Sequence, residues 1–226
     1  MERPLTITNE IYHIYNRGVE KRDTFLSDED RLRFIYNMHE FNDILPAINS
    51  GLRFNEVGLQ FKKKEKLVDI LAFCLMPNHF HLMIKQLTDG GITTFMRKLG
   101  TGYTNYFNIR YERVGPLFQG KYKISLIKNN AHFIHLPFYI HLNPLDLFES
   151  EWRNGKIKDF KKAFNILINY RWSSHLDYLG KENFSFAIQK ETLNELFETP
   201  DFYRKEITEW FKEINLESIK DVIIEE

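Results

Sequence analysis

The segment "LVDILAFCLM-PN-HFHLMIKQ", residues 67–86, constrains the fold more than any other part of the chain. Two apolar runs of strand length flank Pro77 and Asn78, a pair with turn chemistry, so the stretch predicts a tight β-hairpin. In an extended strand the side chains at i and i+2 share a face. His79 and His81 therefore point one way, and Phe80, Leu82 and Ile84 point the other way, towards a core. Neutral imidazole is the commonest biological metal ligand, and two on adjacent same-face positions can hold one ion. A His-x-His pair also occurs as an ordinary polar pair on a strand, so the rest of the chain has to decide between the two readings.

The remaining pattern supplies partners for the hairpin. "IYHIYNRG", residues 11–18, alternates and ends in a turn glycine, which predicts a first strand. Ser27 is placed to cap a helix whose first turn is acidic and whose apolar positions are Leu32, Ile35, Tyr36 and Met38. Residues 42–66 carry Pro46, Gly51, Gly58 and the basic run "FKKKEK", and are expected to form an inserted loop or short hairpin. After the hairpin comes a long basic and aromatic helix, "ITTFMRKLGTGYTNYFNIRYE", weakened by Gly100 and Gly102. "KYKISLI" is expected as a fourth strand, followed by a helix over 130–143 that Pro144 stops. The order β-α-β-β-α-β plus a helix predicts an α+β fold: a ferredoxin-like antiparallel sheet with helices on one face. "YRWSSHLDYLG" reads as a structured aromatic loop, while "TLNELFE" and "DFYRKEITEWFKEIN" are helical by period. The expected organisation is a domain over 1–180 and a helical C-terminal extension over 181–226.

Aromatics at 15% and hydrophobics at 43% of 226 residues suffice for a packed core. The single cysteine, Cys74, excludes an internal disulfide and suits the cytoplasm; it is expected in the core as a small hydrophobe. The N-terminal "MERPLTITNE" lacks the plan of a signal peptide, and no apolar run reaches the length of a membrane span, so no membrane partner is expected. Formal charge is zero, but it is unevenly placed. From Lys85 to Lys128 eight Lys and Arg face only Asp89 and Glu112, whereas 182–226 holds five basic and twelve acidic residues. A basic middle and an acidic tail cancel in the sum but not in space.

The helix over 130–143 carries "FYIHLNP", in which Tyr139 and Asn143 are four apart and share a face while His141 points away. "MPNHFHLMI" followed by "YIHLNP" resembles the IS200-like tyrosine transposases of the HUH class. "GPLFQGKYK" and "YRWSSHLDYLG" resemble the REP-associated tyrosine transposase branch of that family. The resemblance covers roughly residues 10–180 and implies a DNA strand-cutting and rejoining enzyme working through a 5′-phosphotyrosine. It implies that His79, His81 and Asn143 bind a divalent cation, Mg²⁺ or Mn²⁺, and that Tyr139 is the nucleophile. It further implies single-stranded, hairpin-forming DNA as partner, and either a monomer or a homodimer that exchanges its tyrosine helices. Asn143 stands where many relatives carry Gln, and Pro137 removes a backbone donor from the tyrosine helix.

Further candidates follow. His135 is one turn before Tyr139 and could serve as a supporting base, although a packing or solvent-facing histidine is the reading to prefer. Arg97, Lys98, Arg110, Arg113, Lys121 and Lys123 interleave with Tyr103, Tyr106 and Phe118, a composition suited to phosphate contact and base stacking, or equally to a core with solvated charges. Asn16 and Arg17, in a family-like "NRG", are expected to touch the DNA hairpin. Tyr103 and Tyr106 are rival nucleophiles by type, but neither has a polar ligand candidate four residues on. A His-triad nucleotide hydrolase is rejected because Met83 stands where a third alternating histidine is needed and the phosphate-handling helix chemistry is missing; the absence of a G-x-x-x-x-G-K-[ST] loop agrees with strand transfer that needs no ATP. The alternative function is a domesticated protein that recognises structured DNA without cutting it.

Overall fold

The computed structural model describes residues 5–46, 64–149, 151–214 and 216–223. Most of the loop expected over 42–66 thus lies outside the described residues. Strand β1 (Ile11–Arg17) is followed by α1 (Asp28–Glu40), β2 (Val68–Met76), β3 (His79–Gln86), α2 (Gly91–Arg110), β4 (Lys123–Leu126) and α3 (Asn130–Leu142). The strands form one sheet in the order β2-β3-β1-β4, with every neighbouring pair antiparallel, which is the ferredoxin-like arrangement. The expected fold class is therefore observed.

Local chemistry explains the boundaries. Asn78 and Pro77 close the β2–β3 turn, and the Pro77 carbonyl accepts from Thr24 and Phe25 backbone amides, tying the turn to the approach to α1. Ser27 caps α1 in a reciprocal box: its hydroxyl accepts from the Asp30 amide, and the Asp30 carboxylate accepts from the Ser27 amide. Helix α2 runs unbroken through both glycines. At Gly102 the reason is contact, because a Cβ there would meet the Phe41 ring at 2.4 Å. The fourth strand is shorter than the expected 121–127, and its four residues leave a short edge with Lys123 exposed, a safeguard against strand addition. The opposite edge is covered: Trp172 and Ser173 pair alongside β2, with Leu75 donating to the Trp172 carbonyl and Ser174 to that of Phe73.

Both faces of the sheet are buried. Helices α1 and α2 cover the face of Phe80, Leu82 and Ile14, where Phe34 packs on Phe80. The imidazole face is covered by α3, so it is not an open polar surface; His81 is only 6% exposed and Met83 is fully buried. Helices α4 (Phe160–Asn169), α5 (His175–Tyr178), α6 (Glu191–Phe197) and α7 (Pro200–Lys212) complete the described chain. The sequence reading had no counterpart for α4, which is short and buries only Ala163 and Leu167 along one stripe. Helices α3 and α7 are joined by a buried polar relay: the Tyr203 hydroxyl lies 2.8 Å from His141 Nδ1 and 2.7 Å from His175 Nδ1, and His141 Nε2 lies 2.7 Å from Ser174 Oγ.

Candidate active site

Strand β3 projects His79 and His81 onto the face that α3 covers. Their rings lie 5.0 Å apart, nearly perpendicular, and Tyr139 on α3 meets His81 edge-on at 5.7 Å. One turn further, Asn143 begins the 3-10 turn Asn143–Leu147, which carries the chain on through Pro144 after the α-helix ends at Leu142. Its amide donates to the Tyr139 carbonyl at 2.8 Å, satisfying a helix-end acceptor, and its side chain also interacts with His79 and the Tyr139 phenol. His141 points away to Ser174 and Tyr203, as the helical spacing requires. The helix passes through Pro137 without interruption. Tyr139 packs against the His81 of its own chain.

Both histidines have Nδ1 occupied by a polar neighbour. His79 Nδ1 lies 2.6 Å from Asn78 Oδ1, and His81 Nδ1 lies 3.0 Å from His13 Nε2. Burial lowers the basicity of both; the Arg17 charge adds to the effect on His79, which falls to about 4. Both imidazoles are neutral at neutral pH, the state that a cation requires of its ligands. Among the described residues no group of three His, Cys, Asp or Glu is positioned for a metal. Two imidazole nitrogens and the Asn143 carboxamide oxygen nevertheless fit one divalent cation, with positions left for phosphate oxygens.

Arg153 and Asp146, which sequence reasoning missed, complete the cluster. Arg153 Nη1 donates to the Tyr139 hydroxyl at 2.9 Å and Nη2 to Asn143 Oδ1 at 3.2 Å, while its Nε and Nη2 engage the Asp146 carboxylate. The guanidinium also stacks over Trp152 at 4.7 Å. Trp152 donates to Asp146 in turn. Burial pushes the Tyr139 phenol well above its ordinary value, the Arg153 charge opposes that shift, and Asp146 reinforces it. Tyr139 is 1% exposed, so its hydroxyl is both neutral and covered by Arg153. No sequence signal marked Arg153, which lies outside regular α or β structure, in the 3-10 turn Trp152–Asn154.

Other tyrosines are placed differently. The Tyr103 hydroxyl donates to the Thr24 carbonyl and that of Tyr106 to Asp30, both remote from the histidines. Tyr15 opposes His81 across the β1–β3 pair and stacks on it at 5.8 Å, a neighbour that alternation along β1 would have placed on this face. His135 is turned to the C-terminal segment, with Nδ1 3.0 Å from Ser218 Oγ and its ring beside Trp210, so its contacts lie away from the Tyr139 hydroxyl. Helical phase alone, a little over one turn apart, did not fix its direction.

The DNA-contact candidates separate into three groups. Arg17 opposes His79 and Lys123 opposes Tyr15, so both flank the imidazole face. Asn16, Arg97 and Lys121 line a cavity of about 500 Å³ between α2, the 116–122 loop and the sheet, floored by Phe34, Phe80 and Phe118. Lys98, Arg110 and Arg113 are engaged within the fold: Lys98 donates to the Asp43 and Leu45 carbonyls, Arg110 pairs with Glu29 and Asp30, and Arg113 donates to Asn108 and Pro116. Tyr103 and Phe118 are buried and Tyr106 is tied to Asp30, so for these rings packing prevails over open stacking.

Residues 51–143 match the family model described as "Transposase IS200 like". A solved structure of a REP-associated tyrosine transposase bound to a REP hairpin superposes with a TM-score of 0.51 at 14% identity, covering 84% of this chain and 92% of that one. No curated protein matches the sequence. The resemblance carried by the histidine and tyrosine motifs is thus borne out in family match and in fold.

Proposed function

We propose that this chain, an IS200-like transposase in its family match and its fold, cuts and rejoins single-stranded DNA beside a hairpin through covalent attachment to Tyr139. The observation that carries the reading is the convergence of Tyr139 on His81, His79 and Asn143 from two elements remote in sequence. The solved relative was captured on a REP hairpin, which supports the same class of partner here. In this reading residues 1–180 hold the chemistry, and the described part of 181–226 is a helical extension. No described helix is long and apolar enough to cross a membrane.

In this reading His79 Nε2, His81 Nε2 and the Asn143 carboxamide oxygen hold Mg²⁺ or Mn²⁺. The cation, when bound, supplies Lewis-acid polarisation of a non-bridging oxygen of the scissile phosphate. Tyr139 loses its phenolic proton as its oxygen bonds to phosphorus, and the bond from phosphorus to the 3′ oxygen breaks. That oxygen leaves as a 3′-hydroxyl after taking up a proton. The phosphodiester energy stays in the 5′-phosphotyrosine, so rejoining to another 3′-hydroxyl needs no nucleotide cofactor. Arg153, already bonded to the phenol oxygen, favours the phenolate and supplies positive charge where charge develops in the transition state. Trp152 and Asp146 hold the guanidinium in that position.

A second reading, a structured-DNA-binding protein that does not cut, draws on one observation: the Tyr139 hydroxyl is buried and occupied by Arg153. Incubation with single-stranded hairpin DNA and Mg²⁺, followed by a denaturing gel, separates the two. The transposase leaves a covalent protein–DNA adduct, and a binding protein leaves none.

A further inference from the structure

The imidazole of His13 takes no part in the chemistry above, yet it lies fully buried behind His81. It comes from β1, where it opposes Met83, so it reaches His81 diagonally across the sheet, and the two rings stack at 5.2 Å. On its far side, His13 Nδ1 lies 2.5 Å from the backbone carbonyl of Val222, 209 positions away in the chain. Val222 follows the 3-10 turn Leu216–Ile219, which packs along α3.

The protons along this line can be assigned from donor and acceptor chemistry alone. A carbonyl oxygen only accepts, so His13 Nδ1 carries the hydrogen. A neutral imidazole with that tautomer has a bare Nε2, which can only accept. The atom 3.0 Å from it, His81 Nδ1, therefore carries the next hydrogen, and His81 in its turn has a bare Nε2. His79 reaches the same state through a shorter path. Asn78 Nδ2 donates to the Lys21 carbonyl, which leaves Asn78 Oδ1 to accept from His79 Nδ1.

We propose that the Val222 carbonyl and His13 form a tautomer relay that fixes His81 as the Nδ1–H form and presents its bare Nε2 to a divalent cation. His13 is thus a positioning residue, and the acidic C-terminal extension, by way of one backbone carbonyl, takes part in preparing a site on a strand far from it in sequence. Outer partners of this kind orient a ligating imidazole and raise its basicity, and losing one typically costs about 10–100-fold in metal affinity. The consequence for the cation rests on the ligand assignment under the proposed function; the tautomer itself does not.

Two measurements on the full chain test the relay. In the metal-free protein with ¹⁵N-labelled histidine, long-range ¹H–¹⁵N correlation reads each tautomer directly. His13 and His81 are expected as Nδ1–H forms, and an Nε2–H or averaged His81 overturns the relay whether or not the protein binds metal. The second measurement titrates Mn²⁺ alone into wild type, His13→Leu and His13→Gln. Gln keeps one donor for Val222 and one acceptor for His81, whereas Leu keeps neither. Affinity is expected to fall about 10–100-fold in His13→Leu, with the fixed His81 tautomer lost, and to be largely restored in His13→Gln, with the tautomer kept. Equal affinity and an unchanged tautomer in His13→Leu refute the proposal. A wild type that binds no Mn²⁺ counts against the ligand assignment, and the tautomer spectra then decide the relay by themselves. Should His13→Leu not fold, wild type and His13→Gln still decide it, because loss of the Nδ1–H form in His13→Gln contradicts the mechanism.

Discussion

Acidification is expected to unfold this protein through histidines that the fold keeps neutral. His13 and His175 are both fully buried, and burial lowers them from 6.5 to about 4 and about 3. As pH falls below 6.5 the unfolded chain binds a proton at each of these positions and the folded chain does not, so stability falls with pH. The contribution is complete above 6.5 and is lost progressively down to the folded values, about 4 and about 3. At roughly 1.4 kcal/mol per pH unit, the two together contribute several kcal/mol. Around pH 5 these two residues alone account for two protons between the states, a slope of just under 3 kcal/mol per pH unit, to which His79, also lowered to about 4, adds. His81 and His141 shift the same way, whereas Asp177, raised by burial, offsets a part. A domain of ordinary stability, about 5–15 kcal/mol, has little margin against such a loss. Urea unfolding in chelator-containing buffer, followed by circular dichroism from about pH 7.5 to about pH 5, measures the slope. In His13→Gln the slope should fall by one proton's share, about 1.4 kcal/mol per pH unit. Stability that is flat across this range, or a slope that ignores His13→Gln, would show that these rings are not neutral and buried in solution.

Four shorter expectations concern the reaction. Tyr139→Phe should lower cleavage of hairpin DNA by ~10³-fold or more while leaving affinity within a few-fold; adduct formation that survives in it but is lost in Tyr15→Phe would identify the wrong nucleophile. Arg153→Ala should slow cleavage by about 10²–10³-fold, the scale for losing a charge-stabilising donor, in single-turnover assays; an unchanged rate would mean that its bond to Tyr139 serves packing alone. Cleavage should stop in chelator and return with Mg²⁺ or Mn²⁺, and persistent cleavage by a His79→Ala, His81→Ala double variant would remove the ligand assignment. Single-stranded hairpin should outcompete a duplex of the same sequence, and binding should weaken about 20-fold between 0.05 and 0.2 M salt if Arg97, Lys121 and Lys123 each meet a phosphate; equal competition by duplex would refute the single-strand preference.

Sequence by itself determined whatever depends on local periodicity and turn chemistry. Alternation in "HFHLMIKQ" put both imidazoles on one face, Ser27 marked the start of α1, and helical spacing separated Tyr139 and Asn143 from His141. The order of elements sufficed for a ferredoxin-like sheet because one tight hairpin and two helix-bearing crossovers leave few topologies. Tertiary structure alone decided which polar groups meet. Arg153 reaches Tyr139 from a 3-10 turn, and Lys98, Arg110 and Arg113 were drawn into hydrogen bonds and ion pairs within the fold that composition could not distinguish from an open basic surface. His13 and the Val222 carbonyl meet His81 only because β1 pairs with β3 and the C-terminal segment returns along α3. Periodicity records which way a side chain faces on its own element. What stands opposite it is fixed by burial, since polar groups brought into a common core must find partners there or forfeit the free energy of their hydration.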